Sequence, residues 1–66
     1  MEIQLNGESR VIAANWTIAD LLTALRIENR YCAVERNGRV VPREIHSQCR
    51  LEASDKIEVV TLVGGG

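Results

Sequence analysis

Aromatic residues are nearly missing from this chain of 66 residues: there is no Phe, one Trp and one Tyr. Any core must therefore be assembled from Leu, Ile, Val and Ala. No excess charge of either sign exists. Eight basic residues face nine acidic ones for a net charge of −1, which argues against a nucleic acid held by phosphate contacts. Arg36, Arg39 and Arg43 cluster, but Glu35 and Glu44 flank them, and the group reads as a solvated face. Apolar runs fall far short of the roughly 18 residues that span a bilayer, and no charged segment followed by an apolar run opens the chain. The expectation is a cytoplasmic protein with no membrane partner. Cysteine and histidine are scarce as well. Cys32 and Cys49 form no C-x-x-C, and His46 stands alone, so a four-ligand zinc site is not written here. A disulfide is possible in principle in so small a domain, but without a secretory signal two reduced, buried thiols are expected.

What remains is a globular composition, 45% hydrophobic and 26% charged, in a chain sufficient for one small domain and too short to enclose a large catalytic cavity. Glu2-Ile3-Gln4-Leu5 alternates with the period of a half-buried strand. Asn6-Gly7 supplies a hairpin turn, returning through a second strand at Arg10-Val11-Ile12-Ala13. Thr17 is a good N-cap, with Asp20 placed to close a capping box and Trp16 to pack on Leu21 as a hydrophobic staple. Ile18, Leu21, Leu22 and Leu25 follow at i, i+3, i+4 and i+7. The spacing predicts a helix from Ile18 to Arg26 that fades near Asn29.

Tyr31 to Glu35 reads as a third strand with Cys32 and Val34 on one face. Asn37-Gly38 makes a second hairpin turn into Arg39-Val40-Val41, ended by Pro42, which cannot donate to a ladder. The pattern from Arg43 to Ala53 is irregular, with room for one helical turn or a short edge strand. Ser54-Asp55-Lys56 turns the chain into a last strand from Ile57 to Val63. One helix cannot cover both faces of a sheet, so the order implies an α+β fold. It is a mixed sheet of four to five strands with the helix across one face and the last strand parallel to the first, the β-grasp (ubiquitin-like) arrangement. The domain spans 1–63 and leaves 64–66 as a glycine tail.

Two features of the last strand bear on function. Ile57, Val59, Thr61 and Val63 alternate on the face toward the helix. Val60 and Leu62 share the opposite, uncovered face with Glu58. Such a patch either presents itself to a partner or is a scatter of ordinary surface apolars. Gly64, Gly65 and Gly66 then close the sequence. Glycine averages about 7% of usage, so three in succession are improbable by chance. Lacking side chains, they can enter a narrow channel and present the Gly66 carboxylate to an enzyme that reads only backbone. The apolar patch would offset the ordering cost by docking first. The plainer reading is a frayed end or a leftover linker.

Along nearly its whole length the sequence resembles the ThiS family of small sulfur carriers. The resemblance rests on Met1-Glu2-Ile3-Gln4-Leu5-Asn6-Gly7, on Thr17-Ile18-Ala19-Asp20-Leu21-Leu22, and above all on Ala33-Val34-Glu35-Arg36-Asn37-Gly38-Arg39-Val40-Val41-Pro42-Arg43. Asp55 to Val63 and the glycines complete it. It implies a protein co-substrate of thiamine (thiazole) biosynthesis, with no catalytic residue and no bound cofactor of its own. An E1-like, ThiF-like adenylyltransferase would spend ATP to adenylate the Gly66 carboxylate. Sulfur from a cysteine desulfurase relay would displace AMP to leave a thiocarboxylate, and a ThiG-like thiazole synthase would take that sulfur. Gly64 and Gly65 would form the stem entering these active sites, with Val60 and Leu62 as the docking residues. The paired cysteines depart from what the resemblance leads one to expect and leave open a mixed disulfide with a partner. Alternatives are the small subunit of molybdopterin synthase, whose relatives tend to be longer and richer in aromatics, and a ubiquitin-like interaction module with no chemistry at its terminus.

Overall fold

The computed structural model describes residues 1–62. Its first strand, β1 (Glu2–Leu5), turns through Asn6-Gly7 into the antiparallel β2 (Glu8–Val11), with Leu5 opposite Glu8. Both turn residues have positive φ, 51° and 83°, the geometry of a type I′ hairpin that leaves two residues in the loop. That tight closure starts β2 directly after the turn, ahead of the expected Arg10. Ile12 lies past the strand's end, yet it is buried and pairs its backbone with Met1.

Helix α1 (Ile18–Ala24) begins as its sequence dictates. Thr17 accepts from the Asp20 amide at 3.1 Å, and the Asp20 carboxylate accepts from the Thr17 amide at 2.8 Å. The helix ends earlier than Arg26, because Arg26 itself adopts φ 61°. Its amide donates to Thr23, and the Ile27 amide donates to Leu22. These are the two bonds of a Schellman cap built on an arginine where glycine is usual. Asn29–Tyr31 then forms a 3-10 turn, so the next strand begins at Cys32 and Tyr31 stands outside it.

Strand β3 (Cys32–Arg36) is joined to the short β4 (Arg39–Val40) by Asn37-Gly38, with φ values of 53° and 86°. Val41 is past the strand, although its amide still donates to Val34. The irregular stretch resolves into a 3-10 turn at Arg43–Ile45 and an isolated bridge between Thr17 and Arg50. Strand β5 (Lys56–Thr61) completes a five-stranded sheet in the order β2-β1-β5-β3-β4. It runs parallel to β1 and antiparallel to β3, so the β-grasp arrangement is realised.

The helix crosses one face of this sheet. Ile18, Leu21 and Leu22 meet Ile3, Leu5, Val34, Ile57 and Val59 there, and Trp16 and Leu25 close the margin half-buried. Each fully buried aliphatic side chain contributes roughly 2 kcal/mol. The expected 63/64 domain boundary, Val63 of the strand alternation and the tail residues Gly64, Gly65 and Gly66 lie outside the described residues. No helix among the described residues is long and apolar enough to cross a membrane.

Candidate functional site: the open face and the exit of the central strand

Alternation along a central strand decides what each face of a sheet carries. On β5, Ile57 and Val59 turn toward the helix and are buried, while Glu58 and Val60 turn to the open face. Val60 is 58% exposed and Leu62 50%. Leu62 follows the end of the strand, yet its amide donates to the Tyr31 carbonyl at 2.7 Å. That bond holds the exit segment against the 3-10 turn, where Tyr31 is itself about half exposed and carries the Arg30 guanidinium 4.9 Å above its ring.

The register fills in the rest of the patch. Val60 stands opposite Ala33, Glu58 opposite Glu35, and Glu35 opposite Val40, which is exposed. Small and apolar side chains thus surround two glutamates placed directly across from each other. Like charges in that position repel by a few tenths of a kcal/mol or more, and neither has an ion-pair partner among the described residues. The two predicted docking residues therefore share one exposed region with Glu58, as the alternation led one to expect, and the structure adds Tyr31, Val40 and Glu35 to it. Those three were not foreseen, because Val40 and Glu35 enter through long-range register and Tyr31 through its carbonyl's bond to the Leu62 amide.

The strand bearing this patch is clasped at both ends. Asn6 donates from Nδ2 to the Val59 carbonyl at 3.3 Å and accepts on Oδ1 from the Val59 amide at 2.8 Å. Asn37 accepts from the Lys56 amide at 2.9 Å and donates to Asp55 at 3.1 Å. Asp55 is almost fully buried and also accepts from the Glu52 amide at 2.8 Å and from Arg36 Nε at 2.9 Å. So Arg36 leaves the basic cluster that the sequence suggested and folds inward. Burial alone would lower its pKa, but hydrogen bonding and attraction from Asp55, with Cys49 adding to both, hold it above the ordinary value.

The lone histidine and the two cysteines have structural surroundings of their own. His46 is buried, with Nε2 donating to the Val41 carbonyl at 3.1 Å and Nδ1 against Asn29 Oδ1. Both cysteines are free thiols. Cys32 is buried, and burial pushes its thiol pKa up against the opposing charge of Arg43. Cys49 is only half-buried, a departure from the expected pair of buried thiols, and its sulfur lies 3.5 Å from Arg36 Nη1. Among the described residues no group of acidic, histidine or cysteine side chains could hold a metal ion.

The ThiS family model matches residues 3–66. The sulfur carrier protein ThiS of Bacillus subtilis is 38% identical over 69 aligned positions, covering 97% of this chain and 98% of that protein. A thiazole synthase of Paramagnetospirillum magneticum is 39% identical over all 66 residues, and the chain spans 20% of that protein's length. Among solved structures, the crystal structure of the thiamine biosynthesis protein ThiS from Geobacter metallireducens superposes with a TM-score of 0.85 at 30% identity, each chain fully covered.

Proposed function

As the chain belongs to the ThiS family, we propose that it is a sulfur carrier for thiamine biosynthesis, a co-substrate that partner enzymes modify at Gly66. The observation that carries the reading is the central strand. β5 is fixed by ladders on both sides and by two asparagine clasps, and it leads from an exposed apolar patch directly toward the glycines. Four residues past Leu62 reach at most about 14 Å, so a partner gripping the patch has the carboxylate close by.

In this reading the patch docks on an E1-like adenylyltransferase through Val60 and Leu62. A Gly66 carboxylate oxygen attacks the α-phosphorus of ATP and pyrophosphate leaves. A persulfide carried by a cysteine desulfurase relay then attacks the acyl carbon and expels AMP, and a thiol of the relay cleaves the resulting acyl disulfide, forming its own disulfide and leaving the thiocarboxylate. A carboxylate is a poor electrophile and the acyl adenylate a good one, so the activation step creates the reactivity and no side chain of the carrier takes part. The thioacid is ionised at neutral pH and is a nucleophile for a thiazole synthase. The joining of a similar segment to other sequence in a thiazole synthase supports that partner. These enzymes work in the cytoplasm.

The test is mass spectrometry of the C-terminal tryptic peptide Ile57 to Gly66 from cells, which contains no Cys or Met to mimic the change by oxidation. A fraction of the peptide is expected to carry sulfur in place of one oxygen at Gly66. A peptide that stays plain carboxylate after incubation with ATP, a sulfur donor and the activating enzyme would instead favour an interaction module.

A further inference from the structure

Strand β2 forms one edge of the sheet, and all four of its residues are exposed. Its pairing with β1 determines which backbone groups are free. Met1 and Ile12 exchange both backbone bonds, each at 2.7 Å. Hydrogen-bonded pairs alternate along an antiparallel ladder, so Arg10 and Glu8 also direct their N–H and C=O groups toward β1. Ser9 and Val11 direct theirs to the open edge. Side chains alternate the other way. Glu8 and Arg10 stand opposite the buried Leu5 and Ile3, hence on the helix side of the sheet. There they rim a groove whose lining includes Leu25, Ile27, Val59 and Thr61. Neither charge has an ion-pair partner among the described residues.

Charges pointing inward from an edge strand ordinarily repel an invading strand. Here two opposite charges flank a single serine, which makes Glu8-Ser9-Arg10 its own complement when reversed. We propose that β2 pairs antiparallel with β2 of a second copy of this chain, about a two-fold axis through Ser9. The two Ser9 residues then exchange N–H···O=C bonds with the groups they already direct outward. Glu8 of each copy falls opposite Arg10 of the other, twice, at the close non-hydrogen-bonded positions where Cα atoms approach to about 4.5 Å. Competing two-fold registers lose this match. A centre on Arg10 sets arginine against arginine, a centre on Glu8 sets glutamate against glutamate, and a centre between two residues opposes outward-directed backbone to inward-directed backbone.

The dimer carries one continuous ten-stranded sheet. Because β2 is separated from β5 by β1, the central strands of both copies keep their exits uncovered, and they lead in opposite directions. The pairing does not depend on the sulfur-carrier reading. An edge of four residues and two exposed ion pairs makes a weak dimer, populated at roughly millimolar protein and low salt.

The test uses two full-length variants, Glu8→Arg and Arg10→Glu. In each, self-pairing sets like charges opposite, so each alone should sediment as a monomer where the parent protein associates. Mixed one to one they present opposite charges, and association should return at least to the parent's level, with amide shifts confined to residues 7–11 and lost at about 1 M salt. Well-dispersed amide spectra for each variant alone exclude unfolding as the cause of lost pairing. The proposal is overturned if the parent's amide shifts are independent of concentration up to millimolar protein. It is equally overturned if each variant associates as the parent does, or if the mixture stays monomeric; binding of a foreign strand at this edge without self-association would fall among these outcomes.

Discussion

The chain makes the same hairpin turn twice, and the two copies do different things. Asn6-Gly7 and Asn37-Gly38 have nearly superimposable dihedrals, 51° and 83° against 53° and 86°, and both asparagine side chains bond to the backbone of β5. Asn6 directs both of its side-chain bonds to one residue, Val59, just beyond the point where β1 stops pairing. It acts as an added ladder residue near the strand's exit. Asn37 divides its bonds between Lys56 and Asp55, which ties the turn to Arg36 and Glu52 at the strand's entry. One clasp is self-contained and the other belongs to a buried network. A local code thus sets the turn, and whichever segment the fold brings alongside sets what the turn holds.

Removing the network should separate the two ends most sharply. Asp55→Ala leaves the Arg36 guanidinium, the Asn37 amide and the Glu52 N–H without their acceptor, and should cost about 3 kcal/mol in denaturant unfolding. A loss below about 1 kcal/mol would show that the entry clasp stands without it. Next come Asn37→Gly and Asn6→Gly, which keep the positive φ and delete only the side-chain bonds. Expected losses are about 2 kcal/mol for the first and about 1.5 kcal/mol for the second. Hydrogen exchange should quicken at the Lys56 amide in one variant and at the Val59 amide in the other; the reverse pattern would overturn the assignment. Gly7→Ala and Gly38→Ala should have the smallest effect. A Cβ would meet nothing within 4 Å at either site, so only backbone strain remains, about 1 kcal/mol and alike in both. Unequal thermal shifts would mean that the turns differ in more than their side chains.

How far the sequence could be read depended on the distance over which each feature is specified. The helix start was legible because Thr17 and Asp20 satisfy each other across one turn. Its end was not, because Arg26 occupies a left-handed position that sequence rules assign to glycine. The inward and outward alternation of β5 was read correctly at Ile57, Val59 and Val60, whereas the strand's end came early, at Thr61. The Asn6 clasp spans 53 positions, and nothing near Asn6 announces Val59. At the candidate site, Glu58 and the exposed Val60 and Leu62 were foreseen from period-two patterning, while Val40 and the placing of Glu35 opposite Glu58 needed the register of three strands, and Tyr31 the long-range bond from the Leu62 amide. Gly64, Gly65 and Gly66 stood out by composition alone.

The strand order also bears on synthesis. The middle strand of the sheet is the last of the five to leave the ribosome, and nothing links β1 to β3 in one sheet until it arrives between them. A nascent chain stopped before Lys56 holds two separate hairpins and a helix with no complete surface to cover. Since a two-stranded hairpin is marginal in water, such a fragment has no folded body. Formation of the sheet therefore waits for its central strand, and the fold is completed in one late step rather than built up hairpin by hairpin.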